Sequence, residues 1–186
     1  CADMILIYSQ ISSARLQYIC TFMFTEQMGI DYEITIDSER FRSYQGPKLN
    51  YSDSRISSEE FFIRSCQLLF ETQIIEQKID CFLINGNKVF FKMQDSDLPF
   101  DVLAASFYLL SRYEEYLPHE KDMYGRYDHE NSLAYKERFL NLPLINIWIL
   151  DLVKLLKEKY TALKTQLTNF SFEPTFDIDI AYSFKH

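Results

Sequence analysis

Residues 4–36 constrain the fold of this chain more than any other part of the sequence. Residues 4–9 form a short, largely apolar run, which is typical of a buried strand. A helix is predicted from Ser12 or Ser13 to about Met28, because a serine can cap its start and apolar residues then recur at spacings of three and four. Residues 32–36 alternate in polarity and predict a second strand. This strand–helix–strand opening favours parallel pairing of the two strands and hence an α/β fold.

The rest of the chain adds short strands first and helices later. The patterns predict a short helix at residues 37–44, a short strand at 49–52, a strand within the ambiguous stretch 59–71, a β-hairpin at 78–92 around Asn85-Gly86-Asn87, and two long helices at 99–117 and 143–160. We therefore predict an α/β domain, with a mixed α+β arrangement as the alternative.

The charge and the composition narrow the class of partner. The formal net charge is −8, and an acidic surface repels phosphate backbones, so we expect no nucleic-acid partner. No apolar run reaches membrane-spanning length, so we expect no membrane partner. The 16 Phe and 13 Tyr are expected mainly in the core and at its rim, although tyrosine-rich surfaces can also serve as sugar-binding platforms.

The cysteines and the start of the chain bear on location. The four cysteines have neither the spacing nor the histidine partners of a structural zinc site. Cys20 and Cys81 lie in apolar stretches, so we expect both to be buried, reduced thiols in a cytoplasmic protein. We expect Met4 to be the natural start, because an apolar strand begins there directly after Cys1-Ala2-Asp3.

Two carboxylates near the end of the chain are the strongest candidates for chemistry. Asp177 and Asp179 are two residues apart, so on an extended strand both side chains project from one face, with Ile178 on the other. One carboxylate of such a pair can bind a divalent cation, and the other can take a proton from metal-bound water. The structural alternative is an ordinary solvated strand end.

The residues around this pair resemble a known family. Thr175-Phe176-Asp177-Ile178-Asp179 is similar to the first motif, usually Thr-Phe-Asp-Asp-Gly, of the polysaccharide deacetylase (NodB-homology) family of carbohydrate esterases. The wider chain resembles a subgroup in which an uncharacterised N-terminal domain precedes the deacetylase-like barrel. The stretches that carry this resemblance are residues 50–53, 98–119, 122–127, 144–148 and 175–182.

The resemblance implies roles for the two carboxylates and a division of the chain. Asp177 would be the general base and Asp179 the ligand of a zinc-like divalent metal, whose two histidine ligands would lie in the sequence beyond this chain. Here Ile178 separates the two aspartates and the glycine of the motif is absent. Residues 1–170 would be an N-terminal accessory α/β domain that needs no cofactor itself, and residues 171–186 the first strand of the deacetylase-like domain.

Three functions are compatible with this division. The first is a non-catalytic accessory domain whose partner is its own C-terminal deacetylase-like barrel, in a protein that hydrolyses N- or O-acetyl groups on a glycan. The second is an independent module that binds a glycan or another small molecule. The third is the N-terminal part of a deacetylase-like protein that has lost catalysis, an alternative suggested by the departure from the Asp-Asp-Gly triplet.

A second candidate site lies in the irregular segment that follows the first long helix. Residues 112–130 combine several carboxylates and tyrosines with His119, Arg126 and His129. The functional interpretation is a ligand cleft or a metal site on an irregular loop, with contact to a carbohydrate or to a neighbouring domain favoured over catalysis. The structural alternative is a loop held to its own helix by arginine–carboxylate pairs and tyrosine packing.

Overall fold

The computed structural model describes residues 4–167 and 172–175. The elements in chain order are β1 (Met4–Tyr8), α1 (Ala14–Cys20), β2 (Asp31–Thr35), α2 (Ser38–Ser43), β3 (Lys48–Ser52), β4 (Phe61–Arg64), β5 (Phe82–Ile84), β6 (Asn87–Val89), α3 (Val102–Leu110), α4 (Leu133–Lys136) and α5 (Leu144–Lys159). No helix among these residues is long and apolar enough to cross a membrane.

A four-stranded parallel sheet in the order β2-β1-β3-β4 organises the domain. Met4 pairs with Asp31 and Tyr8 with Thr35, so the predicted strand–helix–strand opening is confirmed as a parallel unit. The chain then crosses to the other side of β1 to form β3 and β4. The fold is α/β, as predicted.

The helix after β1 changes its geometry halfway. Ser13 caps α1 by accepting a hydrogen bond from the Leu16 N–H at 3.1 Å. The helix continues as a π-helical segment over Thr21–Gln27, where the Met28 N–H bonds to the Met23 carbonyl at 3.1 Å. The predicted extent to Met28 is correct, but periodicity does not distinguish an α turn from a π turn.

Gly29 ends this helix and is also in close contact with a distant segment of the chain. Gly29 has a φ of +62°, a left-handed conformation that favours glycine. The Ile30 N–H reaches back to the Phe24 carbonyl at 2.8 Å. A Cβ at position 29 would also lie 2.8 Å from the Gln166 Cβ, because the segment after α5 passes directly over this turn. The turn at residue 29 is therefore packed directly against the segment that follows α5.

The two faces of the sheet are covered by different helices. Alternate side chains such as Ile7 and Tyr51 enter the main core beneath α1, α3 and α5. The opposite face buries Leu6 and Phe62 and is covered in part by Phe41 of α2. The buried rings of the main core include Phe24, Phe90, Phe100, Tyr108, Tyr113 and Trp148, so aromatic residues fill the core as the composition predicted.

Asp101 fixes the start of α3 and corrects the predicted helix boundaries. Its buried carboxylate accepts hydrogen bonds from the Ala104 N–H at 2.9 Å, the Tyr51 hydroxyl at 2.8 Å and the Cys66 N–H at 2.8 Å. The predicted helix over 99–117 therefore begins only at Val102, and it ends at Leu110. The left-handed Arg112 (φ 52°) interrupts it before a 3₁₀ turn at Tyr113–Tyr116. The first of the two predicted long helices is thus short, whereas α5 matches its prediction.

The predicted hairpin exists but is shorter than expected. Its strands cover only Phe82–Ile84 and Asn87–Val89, joined by Asn85 and Gly86 at φ values of 50° and 81°. Both signs match the tight hairpin turn that an Asn-Gly pair favours. The ambiguous stretch 59–71 contains strand β4, as predicted, followed by a 3₁₀ turn at Gln67–Leu69.

Candidate functional site

A cleft of about 420 Å³ lies between the C-terminal end of α3, the loop that follows it and the start of α5. We call it the α3–α5 cleft. Its apolar lining is Leu109, Ala134, Phe139, Leu140, Leu142, Pro143, Leu144 and Ile145, and its aromatic and polar lining is Tyr108, Arg112, Glu114, Glu115, Tyr127, His129, Ser132 and Asn146. The volume falls within the range of about 300–1,000 Å³ that small-molecule pockets occupy.

Glu114 supplies a partly buried carboxylate to this cleft. The left-handed Arg112 turns the chain out of α3, and the 3₁₀ turn that follows points Glu114 back towards α4, where it accepts a hydrogen bond from the Leu133 N–H at 2.8 Å. Burial raises the pKa of Glu114, while the bond from Leu133, the charge of Lys136 and a hydrogen bond with Tyr108 act in the opposite direction. Within the described part of the chain, Glu114 forms no salt bridge.

Tyr127 also lines the cleft, and its ring hydroxyl is buried. The Tyr127 hydroxyl is buried and has no hydrogen-bond partner among the described residues. Burial first, and then the charges of Glu114 and Glu115, raises the pKa of Tyr127 to about 12. This hydroxyl therefore stays protonated at neutral pH. A buried hydroxyl without a partner costs about 1–3 kcal/mol, so a ligand that accepts its hydrogen bond would recover this cost.

Arg112 and Glu115 form an ion pair at the rim of the α3–α5 cleft. The Arg112 side chain is 72% exposed and that of Glu115 is 30% exposed. Arg112, Glu114 and Glu115 all line the cleft, and Arg112 and Glu115 neutralise each other. Among the described residues, Glu114 is therefore the carboxylate of the cleft that has no salt-bridge partner.

The three binding residues predicted from the sequence occupy different positions. His129 lines the cleft, and its ring packs edge-on against Tyr135 at 5.1 Å. His119 lies behind Tyr127, with ring centroids 4.9 Å apart, and its Nδ1 is 2.8 Å from the Leu117 carbonyl oxygen. It can therefore hold Tyr127 in place, but it does not line the cleft.

Arg126 lies in an adjoining, more open depression lined by residues of the same loop. Its guanidinium pairs with Asp122 at 2.9 Å and lies over the Tyr124 ring at 4.8 Å from the centroid. The Asp122 carboxylate also accepts the N–H groups of Tyr124 and Arg126, so this pair closes the loop on itself. The Arg126–Asp122 pair is thus a contact within the loop, whereas His129 lines the cleft. The binding roles predicted for His119, Arg126 and His129 stay predictions.

Asp177 and Asp179 lie outside the described residues, and their predicted roles stay predictions. Among the residues that the structure does describe, no group of three or more His, Cys, Asp or Glu side chains could hold a metal ion.

The sequence patterns did not indicate Tyr108 or the segment 139–146 as parts of a site, and they did not single out Glu114 among the carboxylates of residues 112–130. Tyr108 belongs to the apolar face of α3 and resembles a core residue in sequence. Burial first, and then the nearby Glu114, raises the pKa of Tyr108, which keeps its hydroxyl protonated. Segment 139–146 is remote in sequence from the loop, and only the folded chain brings the two together.

The buried carboxylates outside the cleft have structural partners. Asp101 caps α3, as described above. Glu60 is fully buried and accepts hydrogen bonds from the Asn50 side chain at 2.8 Å and from the N–H groups of Ile56 and Ser57 at 2.9 and 3.0 Å. These bonds fix the loop between β3 and β4 and leave both carboxylate oxygens occupied.

The thiols are also structural. Cys20, Cys66 and Cys81 are free. Burial raises the pKa of each of them, that of Cys81 to about 11, and a protonated thiol is a poor nucleophile. Cys20 is fully buried, as predicted, whereas the prediction for Cys81 is wrong, since this residue is only partly buried on the edge of the hairpin.

The fold and the cleft together define a parallel α/β domain with a concave site of ligand-binding size. The chain belongs to DUF7033, a family of unknown function, whose family model matches residues 5–161. No curated protein and no solved structure is significantly similar to it. The matched range includes every residue of the α3–α5 cleft.

Proposed function

We propose that this chain is a non-catalytic accessory domain that binds a glycan in the α3–α5 cleft and serves a protein with a metal-dependent, deacetylase-like catalytic domain. The observation that carries the binding role is the preformed cleft together with the Tyr127 hydroxyl, which has no hydrogen-bond partner in the described part of the chain. Its apolar floor suits the carbon faces of a sugar, and its Tyr, Glu and Asn side chains offer donors and acceptors for hydroxyl groups.

One contact supports binding over catalysis in the cleft. Ser132 and His129 both line it, and a serine nucleophile would have to give its proton to the histidine ring. Instead, the Ser132 hydroxyl donates to the backbone carbonyl of His129 at 2.6 Å, and it also caps α4 by accepting from the Tyr135 N–H. Ser132 is therefore occupied by the local backbone.

The catalytic part of the proposal rests on the resemblance at residues 175–182. In the parent protein, Asp177 would be the general base and Asp179 a ligand of a zinc-like ion that activates water for hydrolysis of an acetyl group. The three free thiols favour a cytoplasmic location, which cell fractionation of the native protein would test.

Binding is tested by isothermal titration calorimetry of this chain with neutral, N-acetylated and amino glycan oligomers. We expect saturable binding, and we expect Ala134→Phe to abolish it, because Ala134 lines the cleft and a larger side chain would fill it. Ala14→Phe is the matched control, since Ala14 is exposed at the start of α1, away from the cleft. Absence of binding across neutral, acetylated and amino oligomers would overturn the binding role.

The accessory role is tested by measuring acetate release from acetylated glycans. The full-length protein should release acetate in a reaction that a metal chelator abolishes, and this chain alone should release none. Activity in this chain alone would contradict the accessory role, and an inactive, metal-free full-length protein would favour the degenerate alternative.

Exposed side chains on the loop support a second candidate role in contact with the catalytic domain. Met123 and Tyr124 are 87% and 72% exposed, and Tyr116 is 69% exposed. Large apolar side chains on one loop are typical of a contact with another protein surface. Hydrogen exchange of this loop, compared between this chain and the full-length protein, tests the role: protection only in the full-length protein supports it, and equal exchange refutes it.

A further inference from the structure

The α3–α5 cleft holds one carboxylate, that of Glu114, with which no described residue forms a salt bridge. Glu114 is partly buried and is engaged by the Leu133 N–H and the Tyr108 hydroxyl, but by no salt bridge within the described residues. Lys136 acts on Glu114 only as a charge at a distance. The other carboxylate of the cleft, Glu115, is already paired with Arg112.

The surroundings of Glu114 suit a cation. Tyr108 and Tyr127 line the same cleft, and the faces of aromatic rings attract ammonium groups. Because Arg112 is neutralised by Glu115, no unpaired cation lines the described cleft to repel a positive ligand. The formal charge of −8 adds an overall field that attracts cations.

We propose that the α3–α5 cleft selects a ligand with a protonated amine, which pairs with Glu114 while the body of the ligand packs on the apolar floor and accepts a hydrogen bond from Tyr127. The inference rests on the proposed glycan-binding function and specifies its ligand as an amino sugar with a free ammonium. Hydrolysis of an N-acetyl group converts a neutral amide into such an amine and releases acetate. The accessory domain would thus hold the product of the proposed parent reaction and keep the enzyme on chains already in part deacetylated.

Burial supports this choice of ligand. It raises the pKa of Glu114 because the carboxylate lacks full solvation. An ammonium group placed beside it would restore favourable interactions for the charged form. A neutral sugar hydroxyl could also donate to the carboxylate, but it would bring no opposite charge to stabilise the ionised form of Glu114.

The test compares two probes of equal length, a glucosamine oligomer and an N-acetylglucosamine oligomer, titrated into this chain at low and high salt. We expect the glucosamine oligomer to bind at least about tenfold more tightly, which corresponds to about 1.4 kcal/mol, and we expect salt to reduce this preference. Equal binding, or tighter binding of the acetylated probe, would overturn the inference and leave the proposed glycan-binding function standing. If neither probe nor a neutral glucose oligomer binds, both proposals fail.

Two variants test whether the preference for the glucosamine oligomer depends on the Glu114 carboxylate. Glu114→Gln keeps an acceptor oxygen for the Leu133 N–H but removes the charge, so it should reduce binding of the glucosamine oligomer by about tenfold and leave the acetylated probe unaffected. Glu26→Gln removes the same charge from an exposed position on the π-helical segment and should change neither. A preference that survives Glu114→Gln would refute the assignment to this carboxylate. If the variant fails to fold, the comparison of probes on the unaltered chain still decides the inference.

Discussion

The Tyr127 hydroxyl has no hydrogen-bond partner among the described residues, and we therefore predict that its removal changes protein stability and ligand affinity in opposite directions. The substitution Tyr127→Phe keeps the ring that packs against His119 and removes only the hydroxyl group. Since that hydroxyl is buried and has no partner among the described residues, its removal should stabilise the domain. The same change should weaken ligand binding, because the cleft loses a donor.

The magnitude follows from the cost of burying a hydroxyl group. Such a group costs about 1–3 kcal/mol when it has no partner, and the lower end applies here because the Tyr127 side chain is only partly buried. We therefore expect Tyr127→Phe to raise the free energy of unfolding by about 1 kcal/mol. A neutral hydrogen bond to a ligand contributes about 0.5–1.5 kcal/mol, so affinity should fall roughly threefold to tenfold.

Tyr113→Phe is the matched control. Tyr113 is 1% exposed, its hydroxyl donates to the Ile75 carbonyl at 3.1 Å, and it accepts from the Ile75 N–H at 2.9 Å. Removing this hydroxyl leaves two backbone groups without their partner, so stability should fall by about 1 kcal/mol or more.

Urea denaturation of the full chain, followed by far-ultraviolet circular dichroism, measures both effects. A change of about 1 kcal/mol moves the midpoint by roughly 0.3–1 M urea. We expect Tyr127→Phe to move it upwards and Tyr113→Phe downwards. If both variants lose stability to the same extent, the Tyr127 hydroxyl has a partner in solution and the reasoning is wrong.

Three further predictions concern the elements that support the cleft. Asp101→Ala should lower the free energy of unfolding by about 3–5 kcal/mol, because it removes a helix cap and leaves two other buried donors unpaired. Asp37→Ala is the control: the side chain of this exposed cap accepts from backbone N–H groups of its own helix, so the loss should be only about 1 kcal/mol in the same urea titration. Gly29→Ala should lower the melting temperature more than Gly86→Ala, since both positions have positive φ but a Cβ has open space only at Gly86; equal shifts would show that the contact over residue 29 contributes nothing. Because burial raises the pKa of Glu114, the native state holds more protons than the unfolded state just above the ordinary glutamate pKa, so stability falls as pH rises there; Glu114→Gln should flatten that part of the profile, and an unchanged profile would contradict it.

Local sequence patterns predicted the elements whose causes are local. The opening strand–helix–strand unit, the turn at Asn85-Gly86 and the helix after Pro143 depend on periodicity, turn chemistry and capping within a few residues, and all three are present. The end of α3 was missed because Arg112 adopts a left-handed conformation. No local sequence pattern predicts a left-handed conformation at an arginine, whereas a glycine or an asparagine at this position would have indicated it.

The cleft was only half predictable, for a related reason. Its loop side was visible in the sequence as a cluster of polar and aromatic residues, and one of them, His129, lines the cleft. The binding role predicted for His129 stays a prediction. Its other side comes from segment 139–146 and from Tyr108, which in sequence resemble ordinary helix-start and core residues. What makes them part of a site is the folding of the chain, which brings the end of α3, the loop after it and the start of α5 around one cleft although they are far apart in the chain.

The polar groups of this domain divide by how completely the protein satisfies them. Asp101 and Glu60 are fully buried, and every carboxylate oxygen has donors from the protein, so they stabilise the fold and have no capacity left for a ligand. In the α3–α5 cleft, the Tyr127 hydroxyl has no partner and Glu114 has no counter-ion among the described residues. Both arrangements lower stability, and a fold retains such costs most readily where a ligand removes them. The incomplete satisfaction of Glu114 and Tyr127, more than the volume of the cleft, is therefore the physical argument that this surface binds something.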